Sequence, residues 1–273
     1  YYIQFMAKDN IPFHTLSFPA TILGSKEPWK LASYIKGFNW LTYEGGKFST
    51  SQKRGVFMDQ ALSILDADYW RWWLLSNAPE GSDSDFTWES FQTTINKDLS
   101  DVLGNFVSRL TKFSFSKFEN KIPSGKEYSS LEKEKIKEIN LILEKYEKNL
   151  EKIEIRKSAY YLRSIWVIGN EYLQKAEPWK HYKDDIDKVS MIIRFGFNLL
   201  ALYASISKPF IPDTSAKIYR CLKLKSNNYW PKENEPWYKI IPNEHTYILP
   251  DNLFEKLSDE KTQDLKRRFQ GLP

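Results

Sequence analysis

This chain has little of what most catalytic or metal-binding centres require. It contains a single cysteine, Cys221, among 273 residues. One cysteine excludes an internal disulfide and a cysteine-based zinc site, and it fits a reducing compartment. The only histidines, His14, His181 and His245, are too far apart in sequence for metal-ligand spacing. No uninterrupted apolar run reaches the ~18 residues that a membrane span needs, so no membrane partner is expected. No targeting segment is visible. The chain opens directly on Tyr1-Tyr2-Ile3-Gln4-Phe5-Met6. It therefore reads as a fragment whose N-terminal part lies elsewhere.

What is present is aromatic and mildly basic. Phe, Trp and Tyr make up 16% of the residues, with 10 Trp, and the net charge is +5. Aromatics build cores first and stack on bases second. The charge permits a polyanionic partner without requiring one.

The opening residues read as a strand, a polar turn at Lys8-Asp9-Asn10, then a helix through Phe13, Leu16 and Ile22, with Pro12 in its first turn. Residues 34–41 read as a strand and Glu44-Gly45-Gly46-Lys47 as the turn after it. Strand, helix, strand is the pattern of an α/β domain. From Phe57 the period becomes helical. Asp68 is a candidate N-cap or first-turn acid for an aromatic helix running through Tyr69, Trp70, Trp72 and Trp73. Residues 79–88 read as loop.

A long helix is expected from Trp88 to Phe118, broken by Pro123-Ser124-Gly125. Ser129 with Glu132 forms a capping box. The seam Ile139, Leu143, Tyr146, Leu150, Ile153 runs on through Tyr160, Ile165 and Ile168 to Leu173. Its Lys and Glu residues read as a solvated face. Pro178-Trp179 interrupts it. Further helices are expected over 185–207, 214–222 and 259–269, with loop or short strand over 223–252. The predicted fold is mainly α: a remnant of a Rossmann-like α/β domain followed by an antiparallel helical bundle.

Gly45-Gly46-Lys47-Phe48-Ser49-Thr50-Ser51 admits two readings. A glycine pair lets backbone lie close to a phosphate, and Lys47 with the hydroxyls supplies a charge and small donors. The same residues also suit a solvated hairpin turn. Asn105 and Arg109 are four apart and share a helix face at the edge of the apolar stripe. They are either an ordinary helix surface or donors aimed at unstacked base edges. Trp179, after Pro178 at a helix break, either packs on the bundle or is offered to a base.

In order along the chain, these stretches resemble the methionyl-tRNA synthetases, class I aminoacyl-tRNA ligases. Lys8-Asp9-Asn10-Ile11-Pro12-Phe13-His14 is similar to the family's G-K-D-x-x-x-F-H, with Ala7 in place of the glycine. Lys47-Phe48-Ser49-Thr50-Ser51 is similar to K-M-S-K-S. Asn105 through Arg109 is similar to its N-x-x-x-R, and Ala176-Glu177-Pro178-Trp179 to its anticodon-stacking tryptophan. Lys208-Pro209-Phe210-Ile211-Pro212 and Leu253-Phe254-Glu255-Lys256-Leu257 add milder likenesses.

The resemblance implies a catalytic loop of Lys47, Ser49, Thr50 and Ser51, and a methionine pocket lined by Phe13 and His14. It implies anticodon binding by Asn105, Arg109 and Trp179. It also implies ATP with Mg2+ and methionine as substrates, tRNA for methionine as partner, and a cytoplasmic setting. Thr50 stands where the family has its second loop lysine; either Lys47 and nearby Lys53 make up the missing charge, or this is a variant loop. The family's H-I-G-H segment and zinc-bearing insert have no match, so no zinc site is expected in this piece. The expected organisation is residues 1–55 as the end of the catalytic domain, 56–90 as a connector to the tRNA stem, and 91–273 as the anticodon-binding helices. One rival reading is a non-catalytic tRNA-binding or assembly module built on the same fold. Another is a sister class I synthetase for isoleucine, leucine or valine, against which Asn105, Arg109 and Trp179 argue.

Overall fold

The structure is a computed structural model that describes residues 1–225, 230–231 and 236–272. Residues 226–229 and 232–235 of the expected 223–252 loop, and the last residue, lie outside the described residues.

Two small parallel units begin the chain. β1 (Ile3–Ala7) pairs with β2 (Tyr34–Phe38), and a 3-10 turn, a π-helical turn (Phe13–Ser17) and α1 (Phe18–Ser25) cross between them. β3 (Leu41–Tyr43) pairs in parallel with β4 (Ser84–Phe86), and α2 (Met58–Ile64) and α3 (Ala67–Ser76) lie between them in sequence. Parallel pairing needs such crossovers. The strand expected over 34–41 is thus two short strands in different sheets. The loop expected over 79–88 contains β4, whose Ser-Asp-Phe carries too few β-formers to be legible.

The bundle follows. α4 (Trp88–Thr94), a π-helical segment (Ile95–Gly104) and α5 (Asn105–Phe118) form one continuous rod, with Thr87 capping its start. The buried positions Phe91, Ile95, Leu99 and Leu103 recur every fourth residue. That spacing suits the wider π turn better than a 3.6-residue period. α6 (Ser130–Glu151) starts on the expected capping box: Ser129 N–H donates to Glu132 and the Ser129 hydroxyl accepts from Leu131 N–H.

The seam does not continue unbroken to Leu173. Ile153 takes a left-handed conformation at φ 56°, and the chain reverses into α7 (Ile155–Ala176), so α6 and α7 form an antiparallel hairpin. No glycine or proline marks that turn. Nor is the polar face of α6 wholly solvated. Glu132 is buried and accepts from the Tyr172 hydroxyl at 2.7 Å, and Lys135 is buried beside Glu138.

α8 (Pro178–His181), α9 (Ile186–Ser207), α10 (Pro212–Cys221) and α11 (Asp259–Arg268) complete the set. α9 is apolar nearly all round and runs through the centre. By length and hydropathy it could cross a membrane, but 89% of its apolar window is buried within the protein. Such a helix is the core helix of a bundle. Gly169 on α7 lets it approach: a Cβ there would sit 2.3 Å from the Tyr203 hydroxyl. That hydroxyl donates to the Ile165 carbonyl at 2.8 Å.

Asp68 lies in the first turn of α3, but its carboxylate accepts from Thr214 N–H at 2.6 Å and so caps α10 instead. Arg71, one turn on, donates to the Phe210 and Pro209 carbonyls. Together they fasten α3 to the turn that Pro209 and Pro212 impose after α9.

Candidate nucleic-acid interface and phosphate loop

Asn105 and Arg109 lie on the first turns of α5, directly after the π-helical segment, and face α7. Asn105 Nδ2 donates to Asn170 Oδ1 at 3.3 Å, and an Arg109 guanidinium N–H donates to Gln174 Oε1 at 3.3 Å. Asn170 and Gln174 are themselves one helical turn apart, so two polar ladders interlock across the helix pair. α7 then ends at Ala176. Glu177 takes a left-handed conformation at φ 43°, and Pro178 starts α8.

This break carries Trp179 to the α5 side, where the Arg109 guanidinium lies 5.0 Å over its ring. Trp179 remains 39% exposed and Asn105 is exposed. Three residues spread over 75 positions of sequence thus meet on one face. The face offers an indole, the guanidinium N–H groups that Gln174 does not take, and an amide, which is the equipment for stacking on a base and reading its edge. Basic and aromatic groups extend it. Lys117 Nζ sits 4.7 Å over Tyr182, and Lys188 lies 3.0 Å from His181 Nε2. Sequence reading missed Asn170 and Gln174; their own four-residue spacing, matching that of Asn105 and Arg109, was the available signal.

The second expected site is built differently. Glu44 (φ 47°) and Gly45 (φ 75°) form a tight turn, with Tyr43 and Gly46 exchanging backbone hydrogen bonds of 2.8 and 3.0 Å. Gly45 N–H donates to the Asp85 carboxylate. Both glycine amides are therefore already engaged, and the glycine pair is the hairpin turn rather than a phosphate cradle. Glu44 tolerates its left-handed backbone because its carboxylate is anchored by Trp88 N–H at 2.9 Å and Lys266 at 3.1 Å. Lys266 also pairs with Glu89 at 2.8 Å, and Glu89 first and then Glu44 hold its ammonium above its ordinary pKa. Beneath the turn, burial pushes the Tyr43 phenol up to about 12.

The loop that follows closes on itself. Ser49 and Arg54 exchange backbone hydrogen bonds, Ser49 Oγ lies 3.2 Å from Ser51 Oγ, and Lys53 turns left-handed at φ 51°. Lys47, Thr50 and Ser51 are exposed, and Lys47 has no acidic partner among the described residues. The C-terminal tail clasps this loop: Gly55 N–H donates to the Phe269 carbonyl and Leu272 N–H to the Gln52 carbonyl. Arg54 bridges to the Tyr43 and Glu44 carbonyls. No sequence signal announced that clasp.

Phe13 and His14 stand apart. Phe13 is 63% exposed, and His14 Nδ1 pairs with Gln4 Oε1 at 3.1 Å. No hydrogen bond, ion pair or ring contact joins them to the Lys47 loop among the described residues. Nor does any group of His, Cys, Asp or Glu there have the arrangement of a metal site.

Known proteins place this architecture. The family model described as the anticodon binding domain of methionyl tRNA ligase matches residues 122–273, and that of class I tRNA synthetases (M) matches residues 1–111. A methionine–tRNA ligase of Paracoccus denitrificans is 55% identical over 271 residues, 99% of this chain and 47% of that protein. One from Dinoroseobacter shibae is 55% identical over 270 residues with the same coverage. The apo methionyl-tRNA synthetase of Mycobacterium tuberculosis superposes with a TM-score of 0.79 at 18% identity, over 94% of this chain and 50% of that one. The chain spans about half the length of the curated relatives it matches. On the strength of two consecutive family models and relatives that share more than half of its residues, the chain belongs to the methionyl-tRNA ligase family.

Proposed function

We propose that this chain supplies the phosphate loop and the anticodon-reading helices of a methionine–tRNA ligase. The observation that carries the reading is the meeting of Trp179, Arg109 and Asn105 on one exposed face. In the whole ligase, methionine and ATP condense to methionyl-adenylate with release of pyrophosphate, and the acyl group then passes to the 3′ end of tRNA for methionine as AMP leaves; Mg2+ would accompany the ATP phosphates. Such chemistry rests on positioning and on charge stabilisation at the phosphates. In this reading Lys47 takes the second role: it is exposed and has no acidic partner among the described residues, with Ser49, Thr50 and Ser51 as neighbouring hydroxyls. Phe13 and His14 contribute an apolar and a polar group toward methionine. The setting is the cytoplasm. Taken alone, the chain binds tRNA without charging it.

Filter binding of tRNA for methionine to the chain and to Trp179→Ala, at two salt concentrations, tests the reading. Phosphate contacts predict affinity that falls with salt for both proteins. Stacking is worth ~1–3 kcal/mol per base, so the variant is expected to bind about tenfold more weakly at either salt. Equal affinities of the two proteins would overturn the anticodon assignment.

A further inference from the structure

The direction of one amide fixes what the face can read. Asn170 Nδ2 donates to the Val102 carbonyl at 2.8 Å. Val102 lies in the last turn of the π-helical segment, at the junction where Asn105 N–H is shared between the Ser100 and Val102 carbonyls. A carbonyl can only accept, so it dictates which end of the Asn170 amide faces it. Asn170 Oδ1 is then left facing Asn105 and accepts from its Nδ2 at 3.3 Å. That in turn commits the Asn105 amide: its NH2 points inward and its Oδ1 outward. Asn105 is exposed, and its Oδ1 has no hydrogen-bond partner among the described residues.

One turn along the same face, Gln174 holds the Arg109 guanidinium, whose remaining N–H groups are donors. The face therefore presents an acceptor beside donors, in a fixed order. A base edge complementary to that order offers an amino donor next to an acceptor nitrogen. Cytosine and adenine carry such edges; uracil and guanine lack the exocyclic amino group beside a bare ring nitrogen on their pairing edges.

We infer that Asn170 is a positioning residue: anchored on the Val102 carbonyl, it turns Asn105 so that Oδ1 accepts from the exocyclic amino group of an unstacked anticodon base. The inference rests on the anticodon reading of the face and adds a specificity mechanism to it. Asn170 touches no base itself. Its effect passes entirely through Asn105.

The test uses the chain and an RNA hairpin with a CAU loop, together with two versions in which one amino group is deleted. In one, C becomes 2-pyrimidinone; in the other, A becomes unsubstituted purine. A neutral hydrogen bond is worth ~0.5–1.5 kcal/mol, so the wild type is expected to lose about fivefold on one of the two altered hairpins. Asn170→Ala is expected to bind the intact hairpin about fivefold more weakly and to show no further loss on that altered one. The Asn105→Ala, Asn170→Ala double variant should match Asn105→Ala alone. Asn170→Leu keeps the approximate side-chain size and removes both the donor to Val102 and the acceptor for Asn105, and the same loss of discrimination is expected of it. If both Asn170 variants keep the wild-type ratio between intact and altered hairpins, the inference fails while the anticodon reading stands. If the wild type binds a scrambled loop as tightly as the CAU loop, the anticodon reading falls, and the inference with it.

Discussion

The first forty residues and the bundle use similar apolar side chains to opposite effect. In the N-terminal layer Phe13, Leu16, Leu23 and Trp29 are 63–70% exposed, and neither the π turn nor α1 buries a single residue. In the bundle Trp72, Trp88, Trp166, Phe106 and Tyr203 are at most 1% exposed. Secondary structure forms in both. What differs is whether a second layer within the chain covers the apolar face. β1 and β2 pair, and α1 crosses between them, but a two-stranded unit has little face to offer. α9, by contrast, is surrounded by α5, α7, α8 and α10. Amphipathic pattern thus predicts an element more reliably than it predicts burial.

The largest expected contrast comes from deleting one large side chain in each region. The Trp166 ring packs tilted at 40° against Trp72, centroids 4.7 Å apart, and Trp166 donates from Nε1 to Ser207 Oγ at 3.1 Å. Trp166→Ala leaves a cavity and an orphaned hydroxyl, and should lower unfolding free energy by ~3–5 kcal/mol. Leu16, 70% exposed, should change it by no more than ~0.5 kcal/mol on Leu16→Ala. Urea titration of both variants reads the difference. Equal losses would mean that the N-terminal layer is packed after all.

A smaller contrast uses one substitution with opposite signs. At Gly169 on α7, an added Cβ would lie 2.3 Å from the Tyr203 hydroxyl and 2.8 Å from the Phe106 ring. Gly169→Ala should destabilise by ~1–3 kcal/mol through overpacking. At Gly24, inside α1, nothing among the described residues lies within 4 Å of the added carbon. There the helix propensity gain acts alone, and Gly24→Ala should slow amide exchange in α1 by up to ~1 kcal/mol of opening free energy.

The same contrast marks what the sequence made legible. The capping box at Ser129 and the helices bounded by Pro178, Pro209 and Pro212 could be read because proline and hydroxyl caps act locally. So could the spacing of Asn105 and Arg109. The α6–α7 turn could not, because Ile153 adopts a left-handed backbone that only the packing of the two helices enforces. Nor could the roles of Asp68, Asn170 or Glu132, each set by a partner at least 40 positions away. Gly45-Gly46 had two local meanings, and Asp85, also 40 positions on, decided between them.

The subtlest contrast is in two aspartates. Asp68 is buried at the α3–α10 contact with no partner for Oδ1 among the described residues, and burial raises its pKa above the ordinary 3.8. Asp83 lies on the surface beside β2 and β3, where Trp40 N–H and then Lys8 hold its pKa below 3.8. The folded state holds the Asp68 proton more tightly than the unfolded chain does, so stability falls as pH rises from about 3.8 through the folded value. For Asp83 the unfolded chain holds the proton more tightly. Its contribution is complete above 3.8 and fades as pH falls through the folded value. Thermal melts of Asp68→Asn and Asp83→Asn from pH 3 to 7 should therefore diverge from wild type in opposite directions. The Asp68 variant should gain relative to wild type as pH rises, since its amide still accepts from Thr214 and carries no charge to bury. The Asp83 variant should lose. Parallel curves would show that burial at the α3–α10 contact does not set the Asp68 charge, and the distinction between a sealed bundle and an open layer would then stop short of its polar groups.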